Sequence, residues 1–109
     1  MRPVSLSEIA ETQVHGDGPS KSTVLRSEGI NAVQVILGPG KEILPHPEDY
    51  AVLFVVLEGR GRMTTGDGVW EVRPGDVVHL GRGEMRGISA DTRIRLLGIQ
   101  ELRTRDRGR

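Results

Sequence analysis

Tyr50-Ala51-Val52-Leu53-Phe54-Val55-Val56-Leu57, halted at once by Glu58-Gly59-Arg60-Gly61, decides the fold class of this 109-residue chain. Eight apolar residues without polar alternation suit either a buried helical turn or a strand covered on both faces. The Val and Phe content and the glycine stop favour the strand. Outward from it, similar short runs recur. Upstream lie Thr23-Val24-Leu25-Arg26, a Glu28-Gly29 turn, Ala32 to Leu37, and the reversal Gly38-Pro39-Gly40. Downstream, Arg62 to Thr65 and Val69 to Arg73 flank a Gly66-Asp67-Gly68 hairpin turn. Pro74-Gly75-Asp76 then turns the chain into Val77 to Leu80, and Met85 to Ile88 and Arg93 to Ile99 complete the set. Short strands at regular spacing, with no helix long enough to cover a sheet, predict an all-β sandwich or barrel.

The chain is read as one domain: an N-terminal arm over 1–21, a barrel over 22–103, and a frayed basic tail over 104–109. Ser5 to Glu11 suits one short helical turn, with Ser5 or Ser7 as its cap, and His15 to Ser20 is turn chemistry. Lys+Arg and Asp+Glu balance at 15 each, which gives no pull toward nucleic acid or a membrane surface. The arginines at 93, 95, 103, 105 and 107 alternate along a last strand and tail. Without interleaved aromatics they read as a solvated face. No apolar stretch has the length of a membrane span, and Met1 to Leu6 lacks a leader's apolar run. With cysteine absent, a thiolate metal site is excluded, and the cytoplasm is the expected compartment.

Two half-motifs carry a sharper signal. The first runs from Gly40 through His46-Pro47-Glu48 to Gly59, and the second from Pro74-Gly75-Asp76 through Gly81-Arg82-Gly83 to Arg86. Together they resemble the paired signatures of the cupins over roughly residues 30–100. The resemblance implies a small RmlC-like cupin barrel, an antiparallel double-stranded β-helix or jelly roll, whose mouth usually holds a metal. On the family pattern His46 takes the first ligand position, Glu48 the second, Val52 the third and Arg86 the fourth; Ala90 stands for the asparagine.

That substitution pattern weakens the metal expectation. His46 and Glu48 could each donate, but Val52 cannot, and Arg86 is permanently cationic with no lone pair. A guanidinium beside a dication is repulsive by several kcal/mol at an effective dielectric of ~20. No cofactor is therefore expected, with a divalent metal on His46 and Glu48 as the alternative. Arg86 has three readings: an ion pair with Glu48 that fills the mouth, a bidentate clamp for a ligand carboxylate or phosphate, or a side chain snorkelling to solvent.

His46 reads as a base or a hydrogen-bond donor to ligand, or as a satisfied barrel histidine. Tyr50 shares the parity of Val52 and Phe54, so it edges the cavity as a core residue or a catalytic acid. His79 should face outward, Asp76 should close its own turn, and Trp70 suits packing or an interface. The ligand-binding candidates are therefore His46, Glu48 and Arg86, and the catalytic candidates His46 and Tyr50. The function expected is binding of a small, anionic metabolite. The alternatives are a metal-dependent oxygenase or isomerase and a metal-free epimerase or cyclase using His46 and Tyr50. Ala51, Leu53, Val55 and Leu57, the second parity of the long run, need cover from the second layer of the fold or from another subunit, and a homodimer is expected.

Overall fold

The computed structural model describes residues 3–9 and 19–102. Nine strands follow a single turn of 3-10 helix at Leu6–Glu8. They are β1 (Ser20–Ser27), β2 (Ile30–Leu37), β3 (Glu42–Pro47), β4 (Val52–Glu58), β5 (Gly61–Thr65), β6 (Gly68–Val72), β7 (Val77–Leu80), β8 (Met85–Ala90) and β9 (Ile94–Glu101). One sheet has the order β1-β2-β9-β4-β7 and the other β3-β8-β5-β6. Every pairing is antiparallel. This is the all-β architecture expected from the strand spacing, in the jelly-roll form that the resemblance implies.

The long run lands centrally. β4 lies between β9 and β7, so its backbone is paired on both edges. Its even-numbered residues turn inward: Val52 and Val56 are buried, and Val56 lies beside Leu96 of β9, itself next to Val35 of β2. Met63, Val72, Ile88 and Ala90 close the core from the facing sheet. With so few aromatics the interior is filled by aliphatic side chains, which pack densely in defined rotamers. Leu53, Val55 and Leu57 face outward and are only partly buried.

Three glycines, Gly59, Gly61 and Gly87, meet backbone where no side chain fits. Gly59 has φ +83°, and a Cβ there would come within 1.9 Å of the Arg93 carbonyl oxygen. It ends β4 because only glycine takes that conformation against a neighbouring chain. At Gly87 a Cβ would meet Pro45 N at 2.8 Å, which is the space a bulge in β3 occupies.

That bulge belongs to a strand not singled out in the upstream run of the sequence. β3 carries Pro45 and Pro47, which cannot donate to a ladder, and it survives because it is the edge strand of its sheet. Elsewhere the turn chemistry behaves as read. Asp76 Oδ2 accepts the Arg73 N–H at 2.9 Å, and Gly66-Asp67 forms the two-residue loop of the β5–β6 hairpin. His79 sits opposite Leu53 on the outer side. The helical turn forms at Leu6–Glu8 behind Ser5, without a side-chain cap bond. His15 and the tail 104–109 lie outside the described residues. The arginine alternation is not simply a solvated face. Arg95 is partly buried and donates to Gln34 at 3.0 Å and to Glu58 at 2.7 Å.

Candidate functional site

Residues of β2, β3, β4, β8 and β9, with the link between β3 and β4, line a cavity of about 80 Å³ in the barrel. His46, Glu48, Tyr50 and Arg86 all line it, so all four sequence candidates meet at one place. The bulge makes this possible. On β3, Ile43 pairs with Ile88 and His46 with Arg86, so two residues separate the β3 positions and one separates those on β8. Ile43 and His46 would point to opposite faces in a regular strand; the extra residue brings both inward.

Arg86 is 6% exposed, which rules out the snorkelling reading. Its Nη2 donates to the Gly81 carbonyl at 2.7 Å and its Nε to the Glu84 carbonyl at 3.2 Å. The guanidinium stands 5.2 Å from the Tyr50 ring centroid. Nη1 is buried and has no hydrogen-bond partner among the described residues. The expected ion pair with Glu48 does not form. The 81–84 loop draws the cation to its own carbonyls, and the carboxylate turns to His46. A side-on clamp through Nε and Nη2 is also ruled out, because both nitrogens already donate to that loop.

The loop is itself braced. Glu84 accepts the N–H groups of Gly81 and Gly66, each at 2.9 Å, and the Gly83 N–H donates to the Glu48 carbonyl at 2.7 Å. The two amide donors hold the Glu84 carboxyl below the usual glutamate value. Arg82 reaches across to Glu101 of β9, whose Oε1 also accepts the Ala51 N–H. Arg86 is thus positioned by a turn anchored to three other parts of the barrel.

His46 contacts two acceptors. Its Nδ1 lies 2.9 Å from the Leu44 carbonyl and its Nε2 3.0 Å from Glu48 Oε2. Both ring nitrogens thus lie against oxygen atoms of the chain, and which of them donates depends on the tautomer. Tyr50 is half-buried, and its hydroxyl makes no hydrogen bond to the described residues. Burial raises it above the usual tyrosine value; the Glu48 carboxylate adds to the rise and Arg86 opposes it. It is a phenol, able to donate.

Gln100 was missed by the motif reading. It lies beside Val52 on β9 and lines the cavity; Asn31 Nδ2 donates to its Oε1 at 3.0 Å, leaving its NH2 group. Its only signal in sequence is the even parity it shares with Leu96. A larger concavity of about 680 Å³ lies near Arg60, Arg73 and Asp91, at the far end of β4. Those side chains are exposed and hydrated, so the smaller cavity with its buried unpaired donor is the candidate site.

The residues present do not suit a divalent ion. No three His, Asp or Glu side chains converge among the described residues. His46 and Glu48 face each other, and Arg86 is the cross-strand neighbour of His46.

Residues 33–99 match the family described as Cupin domain. The fold aligns with an RmlC-like cupin from Shewanella frigidimarina at TM-score 0.82 and 15% identity, covering 94% of this chain and 91% of that one. The polyketide cyclase RemF from Streptomyces resistomycificus aligns at 0.80 and 20%, over 93% and 79%. A predicted oxalate decarboxylase from Thermotoga maritima aligns at 0.80 and 20%, over 94% and 100%. No curated protein matches the sequence. At such identities the likeness establishes the fold, while the named chemistries differ from one relative to the next.

Proposed function

This chain belongs to the cupin domain family, and from that premise we propose that it binds a small anion inside the barrel through Arg86, without a transition metal. One observation carries the reading: a buried guanidinium lines the cavity with Nη1 unpartnered among the described residues. A buried charged donor without an acceptor is costly, and a ligand oxygen would relieve that cost. The other unused polar functions there, the Tyr50 hydroxyl and the Gln100 NH2, are donors as well. Glu48 is the acceptor at the mouth, and it already faces His46.

The alternatives find less support. A metal-dependent oxygenase or isomerase would have to assemble a donor set from two residues that face each other. A metal-free epimerase or cyclase would retain Tyr50 as its acid, but both nitrogens of His46, its base, already lie against oxygens of Leu44 and Glu48. We also infer a homodimer through the outer face of the five-stranded sheet, where Val77, Val55 and Leu97 lie side by side.

The test compares acetate with uncharged acetamide by calorimetric titration, on the parent and on Arg86→Met. Binding of acetate alone, lost in the variant, supports the reading. Equal binding of both probes, or acetate binding that survives Arg86→Met, overturns it. A stoichiometric transition metal in protein purified without added ions would overturn the metal-free part.

A further inference from the structure

Resting on that reading, we propose that the anion is a short-chain aliphatic monocarboxylate. Its carboxylate would lie against Arg86 Nη1, and its alkyl tail among Val33, Phe54, Met63 and Leu96.

Size is the first argument. The cavity measures about 80 Å³, against roughly 300–1,000 Å³ for pockets that hold drug-sized ligands. At about 10–15 Å³ for one water position, there is room for roughly five to eight non-hydrogen atoms. A sugar nucleotide or a polycyclic substrate does not fit inside.

Polarity is the second argument. The donors Arg86, Tyr50 and Gln100 share the cavity with Val33, Met63, Ile88 and Leu96. Those four are each 8% exposed or less, so the lining beside the donors is buried apolar surface. A guest must present an acceptor to one part and methylenes to the other. Inorganic phosphate supplies only the first of these.

Charge is the third argument. Arg86 is the one buried arginine or lysine among the described residues, whereas Lys21, which also lines the cavity, is exposed. A second carboxylate would approach Glu48 and be repelled. One negative charge and a short apolar tail are what this lining accepts.

The experiment titrates the full chain with acetate, propionate, butyrate, octanoate and inorganic phosphate. Each methylene from acetate to butyrate should tighten binding about fourfold, the gain for burying one CH2 group. Octanoate should bind at least about tenfold more weakly than butyrate, because its tail overfills a packed wall. Phe54→Leu, checked for a cooperative melt, should shift the preference toward octanoate; Met63→Ala, a larger cut, serves as the second variant. Phosphate or octanoate binding as tightly as butyrate, with Arg86→Met still abolishing it, would overturn this inference and leave the Arg86 reading standing. Failure of every acid to bind would overturn both.

Discussion

His46 and Arg86 are directly opposed across β3 and β8, yet neither turns to the other. The imidazole lies between the Leu44 carbonyl and Glu48, while the guanidinium is held by the carbonyls of Gly81 and Glu84. Two nitrogen-bearing side chains at neighbouring positions separate when each finds its own oxygen partners. What remains between them is a cavity with one unused N–H edge, and the predictions below test what that edge is for.

If Arg86 serves a ligand and not the barrel, replacing it should cost little stability. A buried cation exchanged for an apolar side chain of similar length removes a desolvation penalty along with its hydrogen bonds. Arg86→Met should therefore melt within about 1 kcal/mol of the parent while losing anion binding. A loss beyond about 3 kcal/mol in chemical denaturation would instead assign the residue to holding the fold.

Tyr50 is the only tyrosine, so a phenolate absorbance titration reads it alone. Its folded value is raised, chiefly by burial. The phenol should therefore resist ionisation above the ordinary value of 10.0. The sign for stability follows. The folded chain keeps the proton more tightly than the unfolded one, so stability is intact below the ordinary tyrosine value and falls as pH rises from there through the folded value. Saturating butyrate should delay ionisation further by placing a second negative charge beside the hydroxyl. An unshifted titration would remove Tyr50 from the site.

Much of this was readable in the sequence because strands declare themselves through turns. Gly59 takes the positive φ that ends its strand, and Asp76 caps its own turn; both are local rules. β3 and its bulge were harder to read. Pro45 argues against a strand, and only the partner glycine at 87, about forty residues away, makes the bulge possible. The meeting of His46, Glu48 and Arg86 followed from the family spacing and that of Tyr50 from strand parity, but their pairing did not. Which acceptor Arg86 finds depends on where the 81–84 loop places its carbonyls, and no residue type announces that. Gln100 escaped notice because a glutamine at an inward position of a last strand carries no motif.

Glu84 joins the β5–β6 hairpin to the 81–84 loop through two amide donors, and its carboxyl is held below the usual glutamate value. A depressed folded value means the brace is fully present above the ordinary glutamate pKa and is lost as pH falls through the lower folded one. Glu84→Gln should lower the melting temperature at neutral pH, since its amide offers one acceptor oxygen in place of two. The gap between variant and parent should close on acidification through that window. A gap that stays constant with pH would exclude the carboxylate as its source.

Gly98 faces inward, and a Cβ there would stand 2.8 Å from Phe54 Cε1 and 3.3 Å from Val33 Cγ2. Gly98→Ala must therefore move the Phe54 ring, at a cost of about 1–3 kcal/mol for overpacking. Phe54 and Val33 both line the cavity, so the displaced ring should also weaken butyrate more than acetate. Equal weakening of the two acids would show that the ring moved away from the ligand's tail.

The outer face of the five-stranded sheet carries the last prediction. Val77 lies opposite Val55, which lies opposite Leu97, and Leu53 lies opposite Ile99 in the adjoining row. Val77 is 59% exposed, while Val55, Leu97, Leu53 and Ile99 are only partly buried. Contiguous apolar rows of this kind on a soluble surface mark an interaction face, and a two-fold pairing of identical faces closes without leaving an open end. Light scattering on the parent should give the mass of two chains at micromolar concentration, and the melting temperature should fall on dilution. Val55→Lys with Val77→Lys should give the mass of one chain with anion binding retained, because neither residue lines the cavity. A parent that is monomeric across the whole concentration range would refute the pairing, and a double variant that stays dimeric would move it to another face.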